Sequence, residues 1–316
     1  MSKKPQCSIV IRAYNEEKHI GRLLTGILEQ TIQNVQIILV DSGSTDATVS
    51  IASHFPVEIV SITPEEFTFG RSLNIGCERV KSDFFVLASA HVYPVYPDWL
   101  ECILAPFENP DIALVYGKQR GTTSTKFSEH QIFRKWFPEE SVLIQGHPFC
   151  NNANAAVRTS LWKERQYDEL LPGLEDLDWA KWALSQGYGI SYSAEAEIIH
   201  VHEETLKGVY NRYRREAIAL SRIDPRQKFH FFDFLRLFLF NSMSDTWHAL
   251  KKRQLFTRIG EILWFRAMQF WGTYKGYRYA GPITEHLRQT FYYPLGMNQA
   301  GKVSERNVQP IQYKGS

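Results

Sequence analysis

Gln36-Ile37-Ile38-Leu39-Val40-Asp41-Ser42-Gly43-Ser44-Thr45-Asp46 decides the fold. An apolar run closes on a carboxylate and opens at once into a Gly/Ser/Thr/Asp cluster, which is the pattern of a buried strand running into a loop. In an open parallel sheet, ligands bind at the carboxyl ends of the strands. An acid placed there can accept hydrogen bonds from a ribose hydroxyl or a base N–H. Asp41 is therefore a candidate nucleotide-binding residue. The plain alternative is a turn former, because Asp commonly bonds its own backbone.

The neighbouring segments repeat the pattern. Residues 8–13, 37–40, 57–61 and 84–88 read as strands, and 15–30, 46–54 and 71–80 as helices between them. Glu16 and Glu17 fall in the opening turn of the first helix, where acids complement its dipole. Asp46 stands where it would cap the second. This spacing predicts βαβ units and a doubly wound, mostly parallel α/β sheet with helices on both faces. Beyond residue 93 the signals mix. A helix opens at Asp98-Trp99-Leu100, the polar stretch 117–127 reads as a loop, 176–186 as a helix, 190–202 as a strand and 205–280 as helices. Residues 291–316 read as a poorly ordered tail.

The four cysteines, Cys7, Cys77, Cys102 and Cys150, are widely spaced with no C-x-x-C pair, so neither a zinc site nor a disulfide framework is expected. The formal charge of +2 hides an asymmetry. Residues 205–290 carry 16 Lys and Arg against 6 Asp and Glu, which leaves the rest of the chain at −8. No secretory leader or membrane-spanning run is read, and the expectation is a cytoplasmic protein that touches the inner face of the cell membrane. Dinucleotide binding needs G-x-G-x-x-G after the first strand. That place holds Arg12-Ala13-Tyr14-Asn15-Glu16-Glu17, and no phosphate-binding P-loop is present. Phosphates must then be met by a divalent metal, by basic side chains, or by both.

Several segments together resemble a family 2 glycosyltransferase of the GT-A fold, of the rhamnosyltransferase-like and surface-polysaccharide type. They are Ser8-Ile9-Val10-Ile11-Arg12-Ala13-Tyr14-Asn15-Glu16, the stretch through Asp41, Phe69-Gly70-Arg71-Ser72-Leu73-Asn74, Leu174-Glu175-Asp176-Leu177-Asp178-Trp179 and Ile199-His200-Val201-His202. A looser likeness continues from Phe265 to Arg278. The resemblance implies a catalytic domain over 1–220 with a donor half to about 92 and an acceptor half beyond it. A helical, aromatic and basic extension follows over 221–290.

It also implies single-displacement, inverting transfer from a nucleotide-diphospho-sugar to a saccharide or lipid-linked saccharide, with Asp176 as base beside Glu175. Arg12, Tyr14, Glu16, Asp41, Gly43, Arg71 and Asn74 would face the donor. The chemistry asks for such groups independently: an attacking hydroxyl must lose its proton, and the leaving diphosphate develops negative charge.

One departure stands out. Where the family normally carries an Asp-x-Asp type motif that holds Mn²⁺ or Mg²⁺, this chain has Ser89-Ala90-His91. His91 with His202 can ligate a metal, or His91 can hydrogen-bond the diphosphate directly. A non-catalytic nucleotide-sugar-binding or assembly subunit is the alternative function. Hydrolysis through Ser89 and His91 fits poorly, since no nucleophile elbow surrounds them.

Blander readings accompany the rest. Glu175 and Asp176 suit any first helical turn, and His200 and His202 share one strand face where a pair is often structural. Arg212, Arg214 and Arg215 form a basic face suited either to water or to phosphate. Asn151, Asn152 and Asn154 suit an acceptor pocket or a turn. From 229 to 279, rings bordered by Lys and Arg suit the headgroup level of a bilayer, or else a helical pair packed on the domain or forming a homodimer. No nucleic-acid recognition motif accompanies the charge.

Overall fold

The computed structural model describes residues 4–279 and Gly281. The expected tail over 291–316 and the far end of the helical extension lie outside the described residues. Four strands, β1 (Cys7–Ala13), β2 (Val35–Asp41), β3 (Glu58–Ser61) and β4 (Phe84–Ser89), alternate with α1 (Ile20–Leu28), α2 (Thr48–Ala52) and α3 (Phe69–Cys77). These are the four strands expected from the sequence, and they pair in parallel in the order β3-β2-β1-β4.

Strand alternation sends side chains to both sheet faces. Ile9, Ile11 and Leu39 join a core with Leu23, Ile27, Ile51 and Leu100, while Val10, Ile38 and Val40 join another with Leu73, Trp162 and Trp179. Covering by helices on both faces explains why β1 and β2 are apolar runs and not alternating ones.

The sheet continues through β7 (Asn154–Arg158), β6 (Ile112–Arg120), β8 (Gly189–His200) and β5 (Val92–Pro94). Here it is mixed: β7 runs antiparallel to β4 and β6, β5 runs antiparallel to β8, and β6 and β8 are parallel. The expected parallel pairing is continuous over the first four strands, and β6 and β8 add a further parallel pair within the mixed half. Residues 117–120, expected in a loop, complete β6. Their polar side chains find partners inside the fold: Gln119 is buried against His200, and Lys118 pairs with Glu197 at 2.6 Å.

Chain length dictates a curl. β4 and β5 are fourth and eighth in the strand order, four spacings or about 19 Å apart in a flat sheet. Only Ala90 and His91 separate them, and three backbone steps reach at most about 11 Å. The far edge of the sheet must therefore return to the end of β4. Val92 pairs with His200, and the Val201 N–H donates to the His91 carbonyl at 3.0 Å. This closure sets the position of the site.

Around the sheet lie α4 (Trp99–Leu104), α5 (Phe127–Trp136), α6 (Thr159–Glu164) and α7 (Glu175–Ser185). After β8 comes α8 (Leu206–Ile223), and the extension expected over 221–290 forms α9 (Phe231–Lys251) and α10 (Leu255–Tyr277). α10 lies backbone to backbone on α8. A Cβ at Gly272 or Gly276 would come within 2.5 Å of the Tyr210 or Arg214 carbonyl oxygen, so any side chain there would prise the helices apart. α9 is tied to α10 by a buried ion pair, Arg266 Nε to Asp245 Oδ2 at 2.7 Å. No helix among the described residues is long and apolar enough to cross a membrane.

Candidate active site

At the end of β2 the Ala13 carbonyl accepts from Ser42, and Asp41 Oδ2 accepts from the N–H groups of Gly43 at 3.1 Å and Ser44 at 3.0 Å. Gly43 holds a φ of 84°, which a side chain would strain. This is the turn-forming role of Asp41, but it engages only one oxygen. Oδ1 is buried and has no hydrogen-bond partner. Asp41 supports the turn and is not among the residues that line the neighbouring cleft of about 670 Å³.

The loop after β1 is latched to that turn. Asn15 (φ 55°) accepts from Thr45 N–H, its own N–H donates to Ser44 Oγ, Glu16 N–H donates to Thr48 Oγ1, and Glu17 N–H donates to Asp46 Oδ2 while its own carboxylate accepts from Ala47 N–H. The helix expected from residue 15 therefore starts only at Ile20. Its two acids serve the loop instead of the helix dipole.

The curl brings three imidazoles together. His91, His200 and His202 each offer a ring nitrogen, and these nitrogens lie within 4.8 Å of one another. Every Nδ1 is engaged outward: His91 with Glu16 Oε1 at 2.7 Å, His200 with Gln119 Oε1 at 2.8 Å and His202 with Glu129 Oε1 at 2.7 Å. Burial, followed by the neighbouring His202 and His91, pushes His200 well below the usual imidazole range. Burial acts in the same direction on His91, but the Glu16 carboxylate outweighs it and raises that group. Glu129 lies on α5 and is buried. Burial alone would raise its carboxyl, but Arg212 at 2.7 Å and His202 hold it down at about 2.

On the opposite side α7 opens directly after Leu174, whose φ of 56° is left-handed. The turn points two acids in different directions. Glu175 Oε1 accepts from Arg12 Nη1 at 3.2 Å, and Arg12 also donates to the Phe69 carbonyl. Asp176 is 8% exposed. Its Oδ2 accepts from Asn152 N–H at 3.1 Å and its Oδ1 from Leu177 N–H at 2.8 Å. Burial, then the adjoining Glu175 charge, pushes the Asp176 carboxyl up to about 7. A carboxylate tuned to neutral pH and facing a cleft is suited to accept a proton from a bound hydroxyl.

Of the residues singled out in the sequence, Arg12, Tyr14, Glu16, Ser89, His91, Glu175, Asp176, His202, Arg212 and Arg215 all line this one cleft. Five other expected donor residues stand outside its lining. Asp41 and Gly43 form the supporting turn. Ala90 is 1% exposed and packs into the core, because alternation turns it away from the cleft that its neighbours face.

Arg71 pairs with Glu169 outside the lining, and Asn74 is buried with its amide engaged by Tyr167, Glu169 and Trp162. Both therefore hold the 167–169 segment. Asn154 likewise bonds Trp99, Lys118 and Ala196, and is structural. The sequence reading missed Glu129, whose partners lie 73 and 83 residues away, so no local pattern marks it. The role of His200 was foreshadowed by its two-residue spacing from His202.

A family model, Glycosyl transferase family 2, matches residues 8–165, half of the chain. The O-antigen chain rhamnosyltransferase RfbN of Salmonella typhimurium is 26% identical over 219 residues, covering 65% of this chain and 69% of that protein. WbaN of Salmonella anatum, of the same description, is 28% identical over 222 residues, covering 66% and 70%. Among solved structures, the mannosyltransferase PcManGT from Pyrobaculum calidifontis in complex with GDP-Man and Mn²⁺ superposes with a TM-score of 0.57 at 17% identity, covering 87% of this chain and 85% of that one. S. aureus TarS in complex with UDP gives 0.51 at 18% identity, covering 69% and 66%. The fold is that of the GT-A enzymes, and the chain belongs to glycosyl transferase family 2 as a glycosyltransferase.

Proposed function

We propose that this cleft transfers a sugar, with inversion, from a nucleotide-diphospho-sugar to a hydroxyl of a saccharide or lipid-linked saccharide during bacterial surface-polysaccharide synthesis. The observation that carries this reading is the placement of Asp176. It sits in the first turn of α7, held by two backbone N–H groups, buried, and raised to about 7. The acceptor oxygen bonds to the anomeric carbon from the face opposite the diphosphate. Its proton passes to Asp176 Oδ, and the anomeric carbon–oxygen bond breaks with both electrons leaving on the nucleoside diphosphate.

The loop Tyr14–Glu16 and the turn supported by Asp41 receive the nucleoside, and the unpartnered Oδ1 of Asp41, buried just outside the lining, becomes an acceptor for a base or ribose donor that presses into the turn. Arg212 and Arg215 stand at the cleft for phosphate oxygens. The imidazole donor set fits a divalent ion, and His91, His200 and His202 would hold it. When bound, such an ion neutralises charge on the diphosphate. The similarity to the two O-antigen rhamnosyltransferases supports the polysaccharide setting. Incubation with UDP-, dTDP- and GDP-sugars and saccharide acceptors, with nucleotide release as readout, tests the reading. Donor binding without release for every acceptor would instead identify a non-catalytic binding subunit.

The same reading includes contact with an anionic bilayer through α9. Its solvent side carries Phe232, Leu239, Phe240, Met243, Trp247 and Leu250, an apolar stripe on the face where a helix packed against a domain is normally polar. Residues 226–264 contain seven Lys and Arg and three acids. Asp245 is bound to Arg266, Asp233 caps His230, and Glu261 accepts from Phe127 N–H. The stripe is therefore bordered by net positive charge, which complements anionic headgroups. Flotation with phosphatidylglycerol-containing vesicles should carry the protein upward, and Phe240→Ser/Trp247→Ser should abolish that. Light scattering that shows a dimer broken by the same variant, with no flotation, would assign the stripe to a second copy.

A further inference from the structure

We infer that His91, His200 and His202 form a tri-imidazole centre that selects borderline transition ions such as Co²⁺, Ni²⁺ and Zn²⁺ over Mg²⁺. This rests on the reading of the cleft as a donor site and adds its metal preference. Three observations carry it.

The first is convergence. Three imidazole nitrogens from two separate segments come within 4.8 Å of one another, close to the edge of about 3.4 Å in a tetrahedral site with 2.1 Å metal–nitrogen bonds. His200 and His202 Nε2 already lie 2.9 Å apart. Small side-chain rotations complete the site, and the open side faces the cleft.

The second is orientation. Metal-binding histidines characteristically engage their remaining ring nitrogen with a carboxylate or carbonyl oxygen, which fixes the tautomer and leaves the other nitrogen to the metal. All three rings do so here through Nδ1, to Glu16, Gln119 and Glu129. Burial of Glu129 and Gln119 makes this a built site. The nearby Arg212 guanidinium is neutralised by Glu129 and Glu204 at 2.7 and 2.9 Å, so it does not leave an uncompensated charge facing the ion.

The third is donor chemistry. Mg²⁺ demands oxygen ligands and near-octahedral geometry, whereas imidazole suits the later first-row ions. None of the three ligands brings a negative charge. Glu16 and Glu129 supply it one bond further out, which strengthens the imidazoles as donors without offering oxygen to the ion.

The test uses the full chain with metal alone. Titration with Co²⁺ should develop the ligand-field absorption of a nitrogen-bound ion, and calorimetry should give an affinity for Co²⁺ or Zn²⁺ at least about a hundredfold above that for Mg²⁺. Glu16→Gln and Glu129→Gln should each weaken Co²⁺ binding by about ten- to a hundredfold. His91→Ala should remove the absorption while the thermal unfolding of the apo protein stays near that of the unsubstituted chain, since His91 is only partly buried. Equal affinities for Mg²⁺ and Co²⁺, or Co²⁺ absorption unchanged in both His91→Ala and His200→Ala, would overturn the inference. Turnover without Co²⁺ uptake defeats the inference alone, and Co²⁺ uptake without sugar transfer defeats only the proposed function.

Discussion

Arg12 Nη1 lies 3.2 Å from Glu175 Oε1, across 163 residues of sequence. The contact joins the end of β1 to the first turn of α7, and so ties the nucleotide side of the cleft to the acid on the acceptor side. Glu175 is thereby a positioning residue. It anchors the helix start while its neighbour Asp176 faces the cleft, and its charge keeps Asp176 protonated to higher pH.

Replacing Asp176 by Asn removes the base and keeps the shape. Turnover should fall by about a hundred- to ten-thousandfold, while donor affinity measured by calorimetry changes little. The same group should make stability depend on pH. The folded-state pKa is raised above the ordinary 3.8 to about 7, so the group's stabilising contribution is complete below about 3.8 and lost as pH rises through about 7. Asp176→Asn, which does not titrate, should therefore lack the fall in unfolding temperature that this group gives the unsubstituted chain between about pH 4 and pH 8, which scanning calorimetry can read. Undiminished turnover would remove Asp176 from the base role.

The same carboxyl should set the acid limb of the rate profile. Turnover should rise with pH through about 7 as Asp176 loses its proton. Glu175→Gln removes the neighbouring charge and frees the Arg12 guanidinium to act on Asp176 alone, so the limb should shift to lower pH. A limb that does not move in this variant would mean another group titrates there.

Asp41→Asn should separate donor binding from chemistry. The amide oxygen can still accept from the turn, but an N–H₂ now occupies the position of the unpartnered carboxylate oxygen or displaces its role. Loss of one charge-assisted acceptor predicts a rise in donor KM of about tenfold with kcat nearly unchanged. Steady-state kinetics over donor concentration reads this directly. An unchanged KM would confine Asp41 to turn support.

The buried pair Arg266–Asp245 should behave as a structural clasp. Asp245→Asn leaves a buried guanidinium poorly compensated and should destabilise the protein by about 3–5 kcal/mol, measured by denaturant unfolding. The double variant Asp245→Leu/Arg266→Met should recover much of that loss. Arg266 also donates to the Ser128 carbonyl on the helix carrying Glu129, so the single variant should weaken the His202–Arg212 side of the cleft as well.

The sequence alone determined β1 to β4 and the helices between them, because each is a local pattern: an apolar run, a loop cluster, a period. It also supplied the acids at 175 and 176, the positions of His91 and His202, and the basic, aromatic character of the extension. Tertiary structure decided how these meet. The curl that seats His91 beside His200 follows from a two-residue link spanning strands far apart in sheet order. Glu129, the outward bonds of the three Nδ1 atoms, the burial that raises Asp176, and the diversion of Arg71 and Asn74 to the 167–169 segment all arise from partners dozens of residues away. Periodicity reports which side of its own element a residue occupies. Which other element faces that side is settled only when the sheet closes and the helices pack.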